Sequence, residues 1–175
     1  PGPGLPRNSS TCICVSPMPV HTLRRSTLLN VSPESAWSFF TDPRNLAKIT
    51  PPSMGFTVMS SPPDKIYPGL MIEYRVRPML NIPVTWLTEI THVAEGRMFV
   101  DEQRVGPYRV WHHEHHFAAR PEGGVEMTDI VTYALPFGWL GDLMHPLLVA
   151  PQLRRIFDYR QTVIDGVFSS LSPQP

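Results

Sequence analysis

A chain of 175 residues is long enough to bury the core of one domain and short for two. Lysine plus arginine and aspartate plus glutamate both number 15, so no net field favours nucleic acid or an anionic membrane surface. The longest apolar stretch, 143–151, is interrupted by His145 and Pro146 and falls far short of the ~20 residues of a membrane span, so stable membrane insertion is not expected and a soluble, cytoplasmic protein is. The two cysteines, Cys12 and Cys14, are too few for a disulfide framework and have no further ligands nearby for a metal.

Residues 1–19 hold turn formers without apolar periodicity and read as a disordered leader, with Met18 a candidate start. The domain is expected over 20–171, with 172–175 a tail. Over 21–31, Leu23, Arg25, Thr27, Leu29 and Val31 share one face with the period of a half-buried strand. Ser32-Pro33-Glu34 then supplies a cap, a proline at the first helical position and an acidic first turn for a short helix carrying Trp37, Phe39 and Phe40. Asp42-Pro43 repeats this logic for a second short helix, which Pro51-Pro52 ends. Six strands follow, at 55–60, 71–78, 84–94, 97–105, 108–118 and 125–135, separated by Pro/Gly turns. Pro146 and Pro151 confine 138–149 to a separate helical turn or two. From about 152 to 171, Leu153, Ile156, Phe157, Val163, Ile164, Val167 and Phe168 recur at helical spacing.

One strand, two helices, six strands with short connections and a long terminal helix make an α+β domain: a seven-stranded antiparallel sheet around one helix. One helix cannot fill the concave side of so wide a curved sheet, so a cavity between them is expected.

The segment 108–117 carries the most chemistry. Alternation puts Trp111, His113, His115 and Phe117 on one face, the more aromatic and so the inward one, and leaves His112 and His116 solvated. A two-residue Gly106-Pro107 hairpin sets Glu102 opposite Trp111, beside both inward histidines; a one-residue bulge substitutes Asp101 or Gln103. Three readings are open: a structural His–carboxylate network, histidines that bond ligand polar groups, and, ranked last, a strand-borne metal site. In the last strand Met127, Asp129, Val131 and Tyr133 share the more apolar face, and on the terminal helix Arg160 falls in the stripe of Phe157, Ile164 and Phe168. Glu73 shares a face with Arg75, while Trp86, Thr88 and Ile90 share another, and alternation alone leaves open which is inward.

Several segments together resemble the START-like, or helix-grip, superfamily (SRPBCC), narrowly its bacterial ligand-binding, polyketide cyclase/dehydrase-like subfamily. They are Ala36-Trp37-Ser38-Phe39-Phe40-Thr41-Asp42-Pro43, Thr50-Pro51-Pro52, Ile72-Glu73-Tyr74-Arg75, Phe99-Val100-Asp101-Glu102-Gln103, Trp111-His112-His113-Glu114-His115, Met127-Thr128-Asp129 and Ile156-Phe157-Asp158-Tyr159-Arg160. The resemblance spans about 20–171 and implies a Bet v 1/START-like fold in which Glu73 and Arg75 join the inward set. The expected ligand-facing residues are therefore Glu73, Arg75, Trp86, Glu102, Trp111, His113, His115, Asp129, Tyr133 and Arg160. No nucleophile constellation, phosphate loop or basic stripe is present, so catalytic residues are not assigned. The expected partner is a small apolar or amphipathic molecule, held by a carrier or sensor that needs no cofactor or metal. Alternatives are a cyclase, aromatase or dehydratase acting on a polyketide-like substrate, and an accessory module for a separately encoded epimerase-like oxidoreductase.

Overall fold

The computed structural model describes residues 19–78 and 82–169. The expected leader and tail lie outside these residues, apart from Pro19. The chain forms β1 (His21–Leu29), α1 (Pro33–Phe40), α2 (Pro43–Leu46), a 3-10 turn (Pro52–Met54), β2 (Thr57–Val58), β3 (Leu70–Val76), β4 (Val84–Ala94), β5 (Met98–Val105), β6 (Val110–Ala119) and β7 (Val125–Ala134). α3 (Trp139–Met144), a π-helical turn (His145–Val149) and α4 (Ala150–Ser169) complete it. All pairings are antiparallel and the order is β1-β7-β6-β5-β4-β3-β2, so sequential hairpins build the sheet and only the β1–β7 pair, His21–Leu29 against Val125–Tyr133, closes over long range.

Local chemistry fixes the two small helices as the sequence predicts. The Ser32 hydroxyl accepts from Ser35 N, and the Asp42 carboxylate accepts from Arg44 N, each ahead of a proline at the start of its helix. The stretch 138–149 differs from expectation. Pro146 does not isolate it, because the chain widens into the π-helical turn and enters α4 directly, with Pro151 in the first turn of α4, where no backbone donor is needed.

α4 lies in the concavity and presents Leu153, Phe157, Arg160, Ile164 and Phe168, all buried, as one stripe. At its far end, Ile164 and Phe168 pack with Phe99, Phe117, Met127 and the aromatic face of α1. At its near end, Leu153 and Phe157 pack with Val131, Tyr133 and Leu135. The wing formed by β3 and β4 has a separate cluster, Leu70, Ile72, Tyr74, Val76 and Ile90. The helix thus covers the β1-β7-β6 side while the wing curls away, and the space between is left open. Among the described residues no helix is long and apolar enough to cross a membrane.

The β6–β7 turn gives a test of how tightly the sheet closes. Gly124 has φ +81, and a Cβ there would sit 2.5 Å from the Leu29 carbonyl oxygen on β1; Gly123 has φ +96 with open space around it. Gly124→Ala must shift backbone as well as adopt a left-handed conformation, so it is expected to cost about 2–3 kcal/mol against about 1 kcal/mol for Gly123→Ala. Urea unfolding of the two variants checks this, and equal losses would show that β1 is not held so closely to the turn.

Candidate functional site

A cavity of about 190 Å3 opens between α4, the β3–β4 wing and the two small helices. That exceeds the roughly 150 Å3 of a cavity that holds a benzene ring. Most of its wall is apolar, including Phe39, Ile72, Trp86, Tyr108, Trp111 and Phe157. Trp86 meets Trp111 edge-on at 5.2 Å and Tyr108 at 5.7 Å, which makes an aromatic corner on β4, β6 and the turn before β6. The buried histidines and charged groups of the wall, Asp101, His113, His115 and Arg160, meet on the sheet side against α4, with Thr88 nearby on β4, while Thr41, Asp42, Asn45 and Thr50 by the small helices and Gln152 on α4 also line it.

Strand register brings this pole together. β5 and β6 pair Asp101 with His113, Phe99 with His115 and Glu102 with His112. This is one residue on from the two-residue-hairpin expectation, because the connection 106–109 is wider and the Gln103 side chain spans it, donating from Nε2 to the Tyr108 carbonyl at 2.6 Å and accepting from Tyr108 N at 3.2 Å. Asp101 therefore takes the inward place expected of Glu102. Glu102 belongs to the outer face, where its carboxylate contacts His112 Nδ1 at 2.9 Å and accepts from Arg104 at 2.8 Å. Glu73 and Arg75 are corrected too: β3 buries Ile72, Tyr74 and Val76 and exposes Glu73 and Arg75 on the convex side. Burying those two charges without partners would cost several kcal/mol, whereas the alternate face is apolar throughout.

The remaining expected residues are inward. Trp86, Trp111, His113, His115 and Arg160 line the cavity. Asp129, only 3% exposed, stands behind the imidazoles rather than in the wall. Its Oδ1 is 3.1 Å from His113 Nε2, 2.8 Å from His115 Nδ1 and 3.5 Å from Arg160. The His115 contact is close but out of line for a directed hydrogen bond, leaving Nδ1 without a hydrogen-bond partner. Asp101 Oδ2 lies 2.9 Å from His115 Nε2 and 3.4 Å from His113 Nδ1. Tyr133 is buried at one end, outside the cavity wall, with its hydroxyl 2.7 Å from His145 Nε2 on the π-helical turn. Among the wall residues that the sequence did not assign to the site is Tyr108, and Asp101 entered only as an alternative to Glu102; the signal for it was its parity with Phe99, whose ring stacks on His115 at 4.1 Å.

Asp101, His113 and His115 bring three donor atoms within 4.8 Å of one another, a spacing a small cation could bridge. Here Asp101 and His115 are hydrogen-bonded to each other and His113 to Asp129, and the Arg160 charge beside them opposes a cation. Burial raises the cost of charge on both carboxylates, yet the neighbouring basic side chains outweigh it: His113 and His115 hold Asp101 below its ordinary value, and Arg160, with the hydrogen bond from His113 and the close contact of His115, holds Asp129 well below. Burial and the charge of His115 push His113 down, whereas for His115 the hydrogen-bonding carboxylates overcome burial and push it up. Of the two imidazoles, His115 is thus the one that holds its proton more readily beside the carboxylates, and His113, in the cavity wall, the one that gives it up.

The sign of the pH dependence follows. The contribution of His115 is complete below about pH 6.5 and is lost as pH rises through its raised folded value; that of Asp129 is complete above about pH 3.8 and is lost as pH falls through its depressed one. His113 works the other way from His115, since below about pH 6.5 the unfolded chain takes up a proton that the folded chain resists. Asp129→Asn removes the one carboxylate that touches all three basic side chains and is expected to cost about 3–5 kcal/mol near pH 6 and less at pH 9. Denaturant titrations at the two pH values measure this, and an equal loss at both would contradict a protonated His115.

A family model described as "Polyketide cyclase / dehydrase and lipid transport" matches residues 29–155. Protein Ms6760 of Mycobacterium smegmatis is similar in structure, with 22% identity and a TM-score of 0.64 over 86% of this chain and 92% of that one. A START superfamily protein of the same organism aligns with 10% identity and a TM-score of 0.64 over 87% and 99%. A norcoclaurine synthase point mutant from Thalictrum flavum, solved with a transition-state analogue, aligns with 11% identity and a TM-score of 0.61 over 86% and 97%. No curated protein matches the sequence. The chain belongs to the polyketide cyclase / dehydrase and lipid transport family, and its fold is the helix-grip fold of START and Bet v 1-like ligand-binding domains.

Proposed function

We propose that this domain binds one small, mostly apolar molecule in the cavity between sheet and α4, as a carrier or sensor. One observation carries the reading: the cavity is apolar around most of its wall, and its buried ionisable side chains, Asp101, His113, His115 and Arg160, meet at one pole. Such a distribution suits a compact hydrocarbon or aromatic skeleton with one or two oxygens at the same end. Apolar burial supplies affinity, and the pole sets which way round the molecule enters.

The fluorescent apolar probe N-phenyl-1-naphthylamine is expected to bind with about one-to-one stoichiometry and to weaken roughly tenfold in Trp111→Ala, which removes one wall of the aromatic corner. Glu73→Gln, on the convex face, is expected to leave binding unchanged. Equal affinity in the wild type and Trp111→Ala would remove the cavity from the argument.

A second reading, acid–base catalysis as in a cyclase or dehydratase, is favoured by the neutral His113 and ionised Asp101 side by side in the cavity wall. Either group can take a proton from a carbon next to a ketone held at the pole; in a β-hydroxy ketone, delivering that proton to the hydroxyl lets its C–O bond break and water leave as the Cα–Cβ double bond forms. If the reading holds, the domain accelerates exchange of the methyl protons of 2-acetonaphthone in deuterated water, and Asp101→Asn slows that exchange. Exchange at the buffer rate with the probe demonstrably bound would leave the carrier reading alone.

A further inference from the structure

Arg160 is 8% exposed on the inner stripe of α4, and its side chain forms part of the cavity wall. Its Nε is buried without a hydrogen-bond partner, and its contact with a carboxylate, NH2 to Asp129 Oδ1, is 3.5 Å long. The same oxygen lies nearer to both histidines, at 2.8 and 3.1 Å, so Asp129 is the more closely engaged with them. The phenyl rings of Phe40 and Phe157 flank the guanidinium at 5.3 and 5.7 Å and contribute no acceptor in its plane. A guanidinium keeps its charge at every relevant pH and offers five donors in a planar fork. Buried polar groups are bonded as a rule, and the fork matches two oxygens of one planar anion better than it matches any single neutral acceptor.

We infer that the ligand carries an anionic oxygen group, a carboxylate or an enolate, seated on Arg160, and that binding it draws one proton into the cavity at His113. The inference rests on the cavity-binding reading and narrows its ligand to amphipathic anions with a compact apolar body. The charge balance gives the proton step. Around His113 stand Asp101 on β5, His115 on its own strand β6, Asp129 on β7 and Arg160 on α4; on β1, Arg25 pairs in register with Asp129 but directs its guanidinium to Asp158 of α4 at 3.2 Å. Two carboxylates, Asp101 and Asp129, stand against Arg160 and two imidazoles, so one imidazolium balances the set, and an added anion leaves one negative charge in a low-dielectric site. His113 reaches the cavity and is the neutral base there; protonation of its imidazole restores the balance, and the proton comes from solvent.

2-Naphthoate and 2-acetonaphthone share a ring system and differ by a carboxylate oxygen in place of a methyl group, which makes them the probes. Displacement of N-phenyl-1-naphthylamine is expected to show naphthoate binding at least about tenfold tighter than the ketone at pH 7, consistent with a charge-assisted bidentate contact. Arg160→Gln should bring the naphthoate and ketone affinities of the same variant to within about threefold of each other, and Arg160→Lys, which keeps the charge but not the fork, should retain part of the preference. Calorimetry in two buffers of different ionisation enthalpy should show close to one proton taken up with naphthoate and none with the ketone, and His113→Gln should abolish the uptake. Tight ketone binding with no preference for naphthoate would overturn the inference and leave the cavity reading standing. Failure of the fluorescent probe and both naphthalenes to bind the wild type would overturn both. Retention of the full preference in folded Arg160→Gln would show that the anion is held elsewhere.

Discussion

The polar architecture hangs on the Asp129 carboxylate. It is 3% exposed, and one of its oxygens is within 3.5 Å of a guanidinium on α4 and two imidazoles on β6. A lone buried carboxylate would neutralise itself or unfold its surroundings, so its presence requires the basic groups to stay where they are. Arg160, at 3.5 Å the most distant of the three basic groups, brings a charge of α4 to the same carboxylate and so favours the rotation of the helix that keeps it inward. Apolar packing at Leu153 and Phe168 holds the helix in the concavity, and the ion contact between them favours the face it shows to the cavity.

The cavity is a consequence of how unevenly this helix covers the sheet. Its stripe is apolar at both ends, where it meets the β6–β7 side and the aromatic face of α1, and carries Arg160 in the middle. The β3–β4 wing closes its own small cluster with Ile72, Tyr74 and Ile90, so these side chains satisfy one another rather than reaching α4. Rings at Trp86, Tyr108 and Trp111 bridge part of the gap edge to face, and rings packed in this way are rigid. The result is a pocket with walls set before any ligand arrives, which lowers the ordering cost that binding would otherwise incur.

Much of this was legible in the chain because period-2 alternation is a strong signal where one face is apolar. β7 reads directly: Met127, Asp129, Val131 and Tyr133 are inward as their neighbours require. β6 reads equally well, down to the two inward histidines. Alternation in β3 was also informative, since Ile72, Tyr74 and Val76 form the better apolar face, and placing Glu73 and Arg75 inward on family resemblance set that pattern aside. The exchange of Glu102 for Asp101 has a different origin. Cross-strand register depends on the conformation of the turn, here on an amide side chain at Gln103 bonding the backbone of Tyr108, and hydrophobic periodicity carries no record of such a bond. Tyr133 shows a third limit: its inward direction is local, but whether it meets the cavity or His145 is decided by the π-helical turn some ten residues later in the chain.

Carrier and cyclase readings converge on the same groups because the physics that orients a polar ligand end also prepares proton transfer. A neutral imidazole beside an ionised carboxylate can accept a hydrogen bond or a proton; the difference lies in the acidity of what is placed against it and in how long that group stays. Arg160 bears on this directly. A fixed positive charge near the pole stabilises an oxyanion whether it arrives as a carboxylate or forms as an enolate from a bound ketone, so the same residue that holds an anionic ligand would lower the barrier to enolisation of a neutral one. The enclosing aromatic corner adds a constraint on the product. A flexible chain folded against Trp86, Trp111 and Phe157 has few conformers, and the carbon nearest Asp101 and His113 is chosen by the walls rather than by the base. Were a ligand's acidic carbon to rest where an anionic oxygen would otherwise sit, the side chains proposed for binding would be the ones placed for chemistry.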